Sequence, residues 1–204
     1  MPASLQTERL LLRQWRDDDY EPWAALNADP RVMEFYPKTL PKEESVDLGA
    51  WLRGRIAERG WGLWAAELRA DGHFIGFIGL QQVPFQAHFT PAVEVGWRLA
   101  HDAWGRGLAT EGARACLDYA FDELQLDEVI AMTSTPNLRS MRVMEKIGMH
   151  RNPADDFDHP RIPLGHRLHR HVLYRISASD HYRPNSDAAY FSTGCIRFAS
   201  TSGS

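Results

Sequence analysis

The stretch "VEVGWRLAHDAWGRGLAT", residues 93–110, decides how the rest of the chain is read. Residues 91–100 read as a β-strand, in which Glu94, Gly96 and Arg98 share one face because side chains alternate. Two glycines, Gly105 and Gly107, then precede a helix-forming run, "GLATEGARACLDYAFDEL" (107–124). Glycine lets the backbone turn tightly and approach a ligand, and the first N–H groups of a helix lack internal partners. Together they form a cradle of positive partial charge suited to a pyrophosphate. Arg106 adds a full charge and Thr110 a hydroxyl.

Upstream, "ERLLLRQW" (8–15) reads as a strand and "DDDYEPWAALNAD" (17–29) as a helix with an acidic first turn. "LPKEESVDLGAWLRGRIAERG" (40–60) reads as a second helix, with Val46, Ala50 and Leu52 inward and Gly60 as its stop. Asp71-Gly72 between two apolar runs predicts a hairpin whose two central residues take positive φ. Downstream, "DEVIAMTS" (127–134) is a strand, "NLRSMRVMEKIG" (137–148) a short helix, and "RHVLYRIS" (170–177) a last strand. The order predicts an α/β fold: a mixed, mostly antiparallel sheet with one parallel strand–helix–strand crossover and helices on both faces. Residues 1–177 make one domain. Residues 178–204, rich in Ser, Ala, Asn, Asp and Thr, read as a mobile C-terminal tail.

Bulk properties narrow the function classes. The chain has 204 residues, 44% apolar and 25% charged, with net charge −4 and no long basic run, so no nucleic-acid partner is expected. No apolar run is long enough to span a membrane, and the opening "MPASLQTERLLL" is not a signal peptide. Two cysteines, Cys116 and Cys195, are too few for a disulfide framework and read as reduced thiols in a cytoplasmic protein, a monomer or homodimer.

Which phosphate would the cradle hold? ATP loops end in Gly-Lys-Ser/Thr, which is missing here. Gly105-x-Gly107-x-x-Thr110 is one residue from the dinucleotide fingerprint, but the third position is not Gly or Ala, and Ala100–Trp104 separates the strand from the glycines. Coenzyme A wants the same cradle. The two amides of its pantetheine arm can pair with a strand edge like an added β-strand.

The chain resembles a GNAT-type N-acetyltransferase of the RimJ/RimL-type branch, which includes the ribosomal-protein N-terminal acetyltransferases. Trp104-Gly105-Arg106-Gly107-Leu108-Ala109 matches the family's Gln/Arg-x-x-Gly-x-Gly/Ala loop except at its first position. Asn137-Leu-Arg-Ser140 followed by Lys146-Ile-Gly148-Met149 matches its second landmark, and the likeness covers about residues 5 to 176. The resemblance implies acetyl-CoA as co-substrate. Backbone groups near Trp97 and Leu99 would pair with pantetheine, Gly105, Arg106, Gly107, Leu108, Ala109 and Thr110 would hold the pyrophosphate, and Asn137 and Ser140 would lie near the sulfur. Many members carry a general-acid tyrosine at the position of Met144, where a thioether cannot donate a proton; Ser140 is the substitute.

The chemistry then asks for a neutral amine, a polarised thioester and a stabilised thiolate. Glu94 is the candidate base, with an ion pair to an arginine as its structural alternative. An N–H near Trp97 or Arg98 is the candidate oxyanion donor. Phe35, Tyr36, Phe85 and His88 are candidate acceptor contacts because loops at strand ends carry specificity. The acceptor is a primary amine: a protein N-terminus or a small molecule. His159, His166, His169 and His171 lack the convergent spacing of a metal site. Trp61, Trp64 and Trp97 read as core on strands, and Trp23 and Trp51 as inward on helices. A non-catalytic acyl-CoA sensor is the second reading, motivated by Met144, and a dinucleotide-dependent oxidoreductase the third.

Overall fold

The computed structural model describes residues 3–182. Strands β1 (Leu5–Gln6) and β2 (Leu10–Arg13) are followed by helices α1 (Tyr20–Ala28) and α2 (Lys42–Arg59). Next come β3 (Leu63–Leu68), β4 (Phe74–Gln82) and β5 (Val93–Leu99), then α3 (Leu108–Asp122), β6 (Glu128–Ser134) and α4 (Leu138–Lys146). The short β7 (His150–Arg151) and β8 (Phe157–Asp158) precede β9 (Arg170–Ser177) and a helical turn, α5 (Ala178–His181). All strands join one sheet in the order β1-β2-β3-β4-β5-β6-β9-β7, with β8 also on β9. Only β5 and β6 run parallel. The mixed sheet expected from the order of elements is present.

The pleat assigns the two faces. Phe77 packs against Trp23 of α1 at 5.7 Å between ring centroids. Its neighbour Ile78 points the other way, under α3, where a Cβ on Gly112 would stand 2.5 Å from the Ile78 Cδ1. Helices α1 and α2 thus cover one face and α3 the other. The main core lies on both sides of β2, β3 and β4, with Leu10, Leu12, Ile56, Trp64, Ile78 and Leu117 shut from solvent. Each such side chain contributes roughly 1.5–3 kcal/mol. A second, smaller apolar cluster joins Phe89, Ile130, Phe157 and Leu173 beyond β6.

Several local expectations change. In α2 the buried face is Ser45, Gly49, Leu52 and Ile56, while Ala50 is exposed. Small residues set this face, because a Cβ on Gly49 would meet the Tyr20 ring at 2.9 Å and α1 packs there. Trp51 consequently points outward and is 52% exposed, contrary to the inward reading. Gly60 does end the helix, at φ 83 with its N–H on the Ile56 carbonyl. The β3–β4 turn is not a two-residue hairpin: Gly72 has φ 74 but Asp71 does not enter positive φ. Asp71 instead accepts the His73 N–H at 3.0 Å, stabilising a longer turn.

Cys116 is buried in α3, and burial pushes its thiol well above its ordinary value. Cys195 and residues 183–204, most of the tail, lie outside the described residues. At residues 178–182 the chain docks on α3, where His181 meets Asp118 at 2.7 Å and Tyr182 donates to Asp122. No helix among the described residues is long and apolar enough to cross a membrane.

Candidate active site

Strands β5 and β6 are in register at a single position, Glu94 opposite Ile130. Beyond it, the cavities described below open between them. The Ala100 N–H donates to the Ile75 carbonyl on β4 at 2.8 Å. By strand alternation, the main-chain groups of Arg98 face β4, while those of Trp97 and Leu99 face the gap. This register removes the Arg98 N–H as an oxyanion donor and keeps that of Trp97. The Leu99 carbonyl is taken by the Trp104 indole at 2.9 Å.

Gly105 and Gly107 both adopt positive φ, 71° and 78°, and Gly107 caps α3. Side chains rarely tolerate that backbone, so glycine is required to aim the helix start at the gap. Glu111 in the first turn would oppose an anion, but Arg9 pairs with it at 2.6 Å and Thr7 donates to it at 2.5 Å. These contacts hold its carboxyl below the ordinary range despite partial burial. A cleft of about 300 Å³ is lined by Trp97, Leu99, Gly105, Gly107, Leu108, Ala109 and Thr110 on this side. Arg142 and Lys146 of α4 face it from the other, neither in an ion pair among the described residues. Arg106 does not line the cleft; its carbonyl accepts from Arg9 at 2.9 Å. Free helix N–H groups, positive-φ glycines and two unpaired cations fit an anionic pyrophosphate.

Asn137 caps α4, its Oδ1 accepting the Ser140 N–H at 3.2 Å. Its Nδ2 donates to Thr133 Oγ1 at 2.9 Å and Ser140 Oγ at 3.1 Å. The Asn-x-x-Ser spacing is thus a helix cap that fixes the Ser140 hydroxyl. Met144, one turn further, is buried.

A second cavity, about 390 Å³, adjoins the cleft on the α1/α2 face. Phe35, Tyr36, Trp97, Arg98, Asn137 and Ser140 line both spaces. Glu94 sits in its wall beside Gln81, its cross-strand partner, whose amide donates to the carboxylate. Among the described residues no arginine pairs with Glu94, and the Gln81 amide takes the place of the ion-pair alternative. Burial raises its carboxyl to about 7, against the opposing pull of the Gln81 hydrogen bond. Arg98 stacks on Tyr36 at 3.9 Å and donates to Asn27 Oδ1 at 2.7 Å. Phe85 lines the cavity, whereas His88 is exposed, edge-on to Phe89 at 5.1 Å, and reaches neither space.

Residues 32–37 form a strap over the junction. Arg139 of α4 pairs with Glu34 at 2.7 Å, and Arg167 donates to the Glu34 carbonyl. His159 and His171 stack at 4.8 Å on the far wall. Among the described residues no three His, Cys, Asp or Glu side chains converge as a metal site would require.

The description of the acetyltransferase (GNAT) domain family matches residues 9–150. The chain belongs to the GNAT acetyltransferase family. This acetyltransferase is 39% identical over 151 residues to YkkB, an uncharacterized Bacillus subtilis protein, covering 72% of this chain and 86% of that one. It is 34% identical over 153 residues to the FsC-acetyl coenzyme A-N(2)-transacetylase of Aspergillus fumigatus, covering 72% of this chain and 64% of that one. Among solved structures, a GNAT-family acetyltransferase from Bacillus anthracis superposes with TM-score 0.71 at 28% identity, covering 86% and 98% of the two chains. The enzyme is an N-acetyltransferase and acetyl-CoA is its acyl donor.

Several residues of this acetyltransferase's cavity escaped sequence reasoning, four of them of functional interest. Gln81, Trp51, Ser134 and Arg161 all line it. Only Gln81 left a trace: it lies at the end of a strand whose partner strand carries Glu94. The other three depend on how α2, β6 and the 159–169 loop come together in space.

Proposed function

We propose that the two joined cavities carry acetyl transfer from acetyl-CoA to a primary amine, either a protein N-terminal α-amine or the amine of a small molecule. The observation that carries this reading is the shared wall. A donor along the gap and an acceptor in the aromatic cavity meet at Trp97, Asn137 and Ser140, with Glu94 on the acceptor side. The resemblance to the ribosomal-protein branch supports the first kind of acceptor, and the named activity of the Aspergillus relative the second.

The reaction joins the amine nitrogen to the acetyl carbon and breaks the carbon–sulfur bond, so the amine loses a proton and the thiolate gains one. Glu94 takes the amine proton, through water where the acceptor does not reach it. Its elevated proton affinity suits a base working near neutral pH. Freeing an α-amine of pKa near 8 costs about 1 kcal/mol at pH 7, against about 4–5 for a lysine, so an α-amine needs little help. The Trp97 N–H stabilises the developing oxyanion. The Ser140 hydroxyl, held by Asn137, takes the proton-donor place that Met144 cannot fill. Positioning of both reactants across one wall supplies much of the rate.

Phe35, Tyr36 and Phe85 shape the acceptor space in this reading. The first 177 residues are the catalytic unit, and a cytoplasmic setting goes with the reduced, buried Cys116. Mass-spectrometric screening of N-terminal peptides and small amines with acetyl-CoA tests the proposal. Acetylated product with stoichiometric free thiol is expected. Tight acetyl-CoA binding without turnover on any acceptor would replace it by the sensor reading that Met144 motivates.

A further inference from the structure

The far wall of the acceptor cavity carries polar groups that the transfer itself does not use. Ser134 ends β6 and His171 is the second residue of β9, and the two are register partners, so their side chains share a face. Ser134 keeps 2% of its surface and His171 9%, yet both line the cavity. Among the described residues the Ser134 hydroxyl has no hydrogen-bond partner. Leaving such a group unpaired in a buried site is costly, which marks it as waiting for a ligand atom.

The adjoining rings have defined hydrogen-bonding roles. His171 Nδ1 lies 3.3 Å from the His169 carbonyl, so Nδ1 carries the proton and Nε2 is left as an acceptor. His159 Nδ1 accepts the Arg161 N–H at 3.2 Å, so its Nε2–H is left as a donor. Burial lowers both imidazoles, His171 to about 4, which keeps them uncharged near neutral pH. A hydroxyl, a neutral acceptor and a neutral donor therefore converge on one wall.

The charged groups lining the cavity are of both signs. Glu94, Arg98, Arg161, His159 and His171 are the acids and bases lining the cavity. Arg98 is bound to the Asn27 side-chain oxygen and Arg161 to the Pro84 carbonyl, and among the described residues neither has a carboxylate partner. The cavity thus offers a second ammonium group no carboxylate beyond Glu94, which the transfer itself uses.

We infer that Ser134, His171 and His159 form a specificity subsite for an uncharged oxygen-bearing group, a hydroxyl or carbonyl, attached near the acceptor amine. This inference rests on the proposed acetyl transfer and narrows its acceptor.

Four matched primary amines test it with the full-length enzyme and acetyl-CoA: 1-aminobutane, 4-amino-1-butanol, 4-aminobutanamide and 1,4-diaminobutane. The alcohol and the amide are expected to exceed the alkylamine in kcat/KM by about tenfold or more, the worth of one well-placed hydrogen bond. The diamine is expected to fall below the alcohol. Ser134→Ala and His171→Phe are expected to bring the ratio of alcohol to alkylamine down to within about twofold, mainly through KM for the alcohol, and His171→Gln to restore part of it. A diamine equal to or better than the alcohol overturns the inference, as does a uniform loss across all four amines in Ser134→Ala. Acetyl-CoA binding by calorimetry with no turnover of any amine overturns the underlying transfer reading and this one with it.

Discussion

Gln81 donates its side-chain amide to the Glu94 carboxylate from the position directly opposite it on the neighbouring antiparallel strand. That one neutral contact is all that offsets the burial of the acid, which is why its proton is held to about pH 7. As a base, Glu94 works only when ionised. The pH profile of kcat/KM is expected to rise with an apparent pKa near 7, and Glu94→Gln to lower the plateau by about 100-fold and erase that limb. A variant whose profile superimposes on the wild type would remove Glu94 from the chemistry.

The same proton bears on stability. The folded state holds it up to about pH 7, whereas the unfolded chain releases it near 4.5. This stabilising contribution is therefore complete below about 4.5 and is lost as the pH climbs through 7. Glu94→Gln carries no such titration. Its stability relative to wild type is expected to improve between pH 5.5 and pH 8, by an amount on the order of 2–3 kcal/mol in denaturant titrations. A difference that stays constant with pH would show that burial does not perturb the acid.

Gly107→Val tests the phosphate cradle. At φ 78 a branched residue is strained by about 1–2 kcal/mol, and its Cβ would stand 3.6 Å from the Arg9 guanidinium that holds Glu111 beside the cradle. Acetyl-CoA affinity by calorimetry is expected to drop by at least about tenfold. Gly105→Ala meets no atom within 4 Å and carries backbone strain alone, so its loss is expected to be smaller. Unchanged affinity in Gly107→Val would take the pyrophosphate elsewhere.

Asn137 serves as cap and as positioning residue, and two substitutions separate the roles. Asn137→Ala is expected to destabilise the fold by about 1 kcal/mol through loss of the cap. Asn137→Asp keeps the cap oxygen but loses the donor to Thr133 and Ser140. Near-normal thermal stability with reduced kcat is the expected outcome for the aspartate. Full activity there would leave Asn137 a cap only.

Much of this was legible along the chain because it is local. The apolar runs of β3 and β4 announce strands buried on both sides, and the amphipathic run of α3 announces its own face. Gly105 and Gly107 announce a backbone that only glycine adopts. What resisted reading depends on distant partners. Trp51 looks like a core residue until Gly49 admits the Tyr20 ring and rotates α2. Glu94 looks like a ready partner for arginine, yet Arg98, on the same face, is engaged by Asn27 and Tyr36 instead. His88 and Phe85 sit in one loop, but only Phe85 packs toward Phe157 and His159, at 6.2 and 4.7 Å. Ser134 acquires meaning only from its pairing with His171, 37 positions later in the chain.

The single rung between Glu94 and Ile130 has a consequence for the protein's fate as well as its chemistry. Most sheets keep their unpaired edges at the margin, where charge and twist guard against unwanted pairing. Here one such edge runs through the middle of the molecule, and the residues guarding it are the ones that must admit substrate. On the proposed reading, a coenzyme arm laid along Trp97 and Leu99 would act as a removable strand that completes the sheet. At a 100-fold excess over its dissociation constant it would add about 2.7 kcal/mol to the fold.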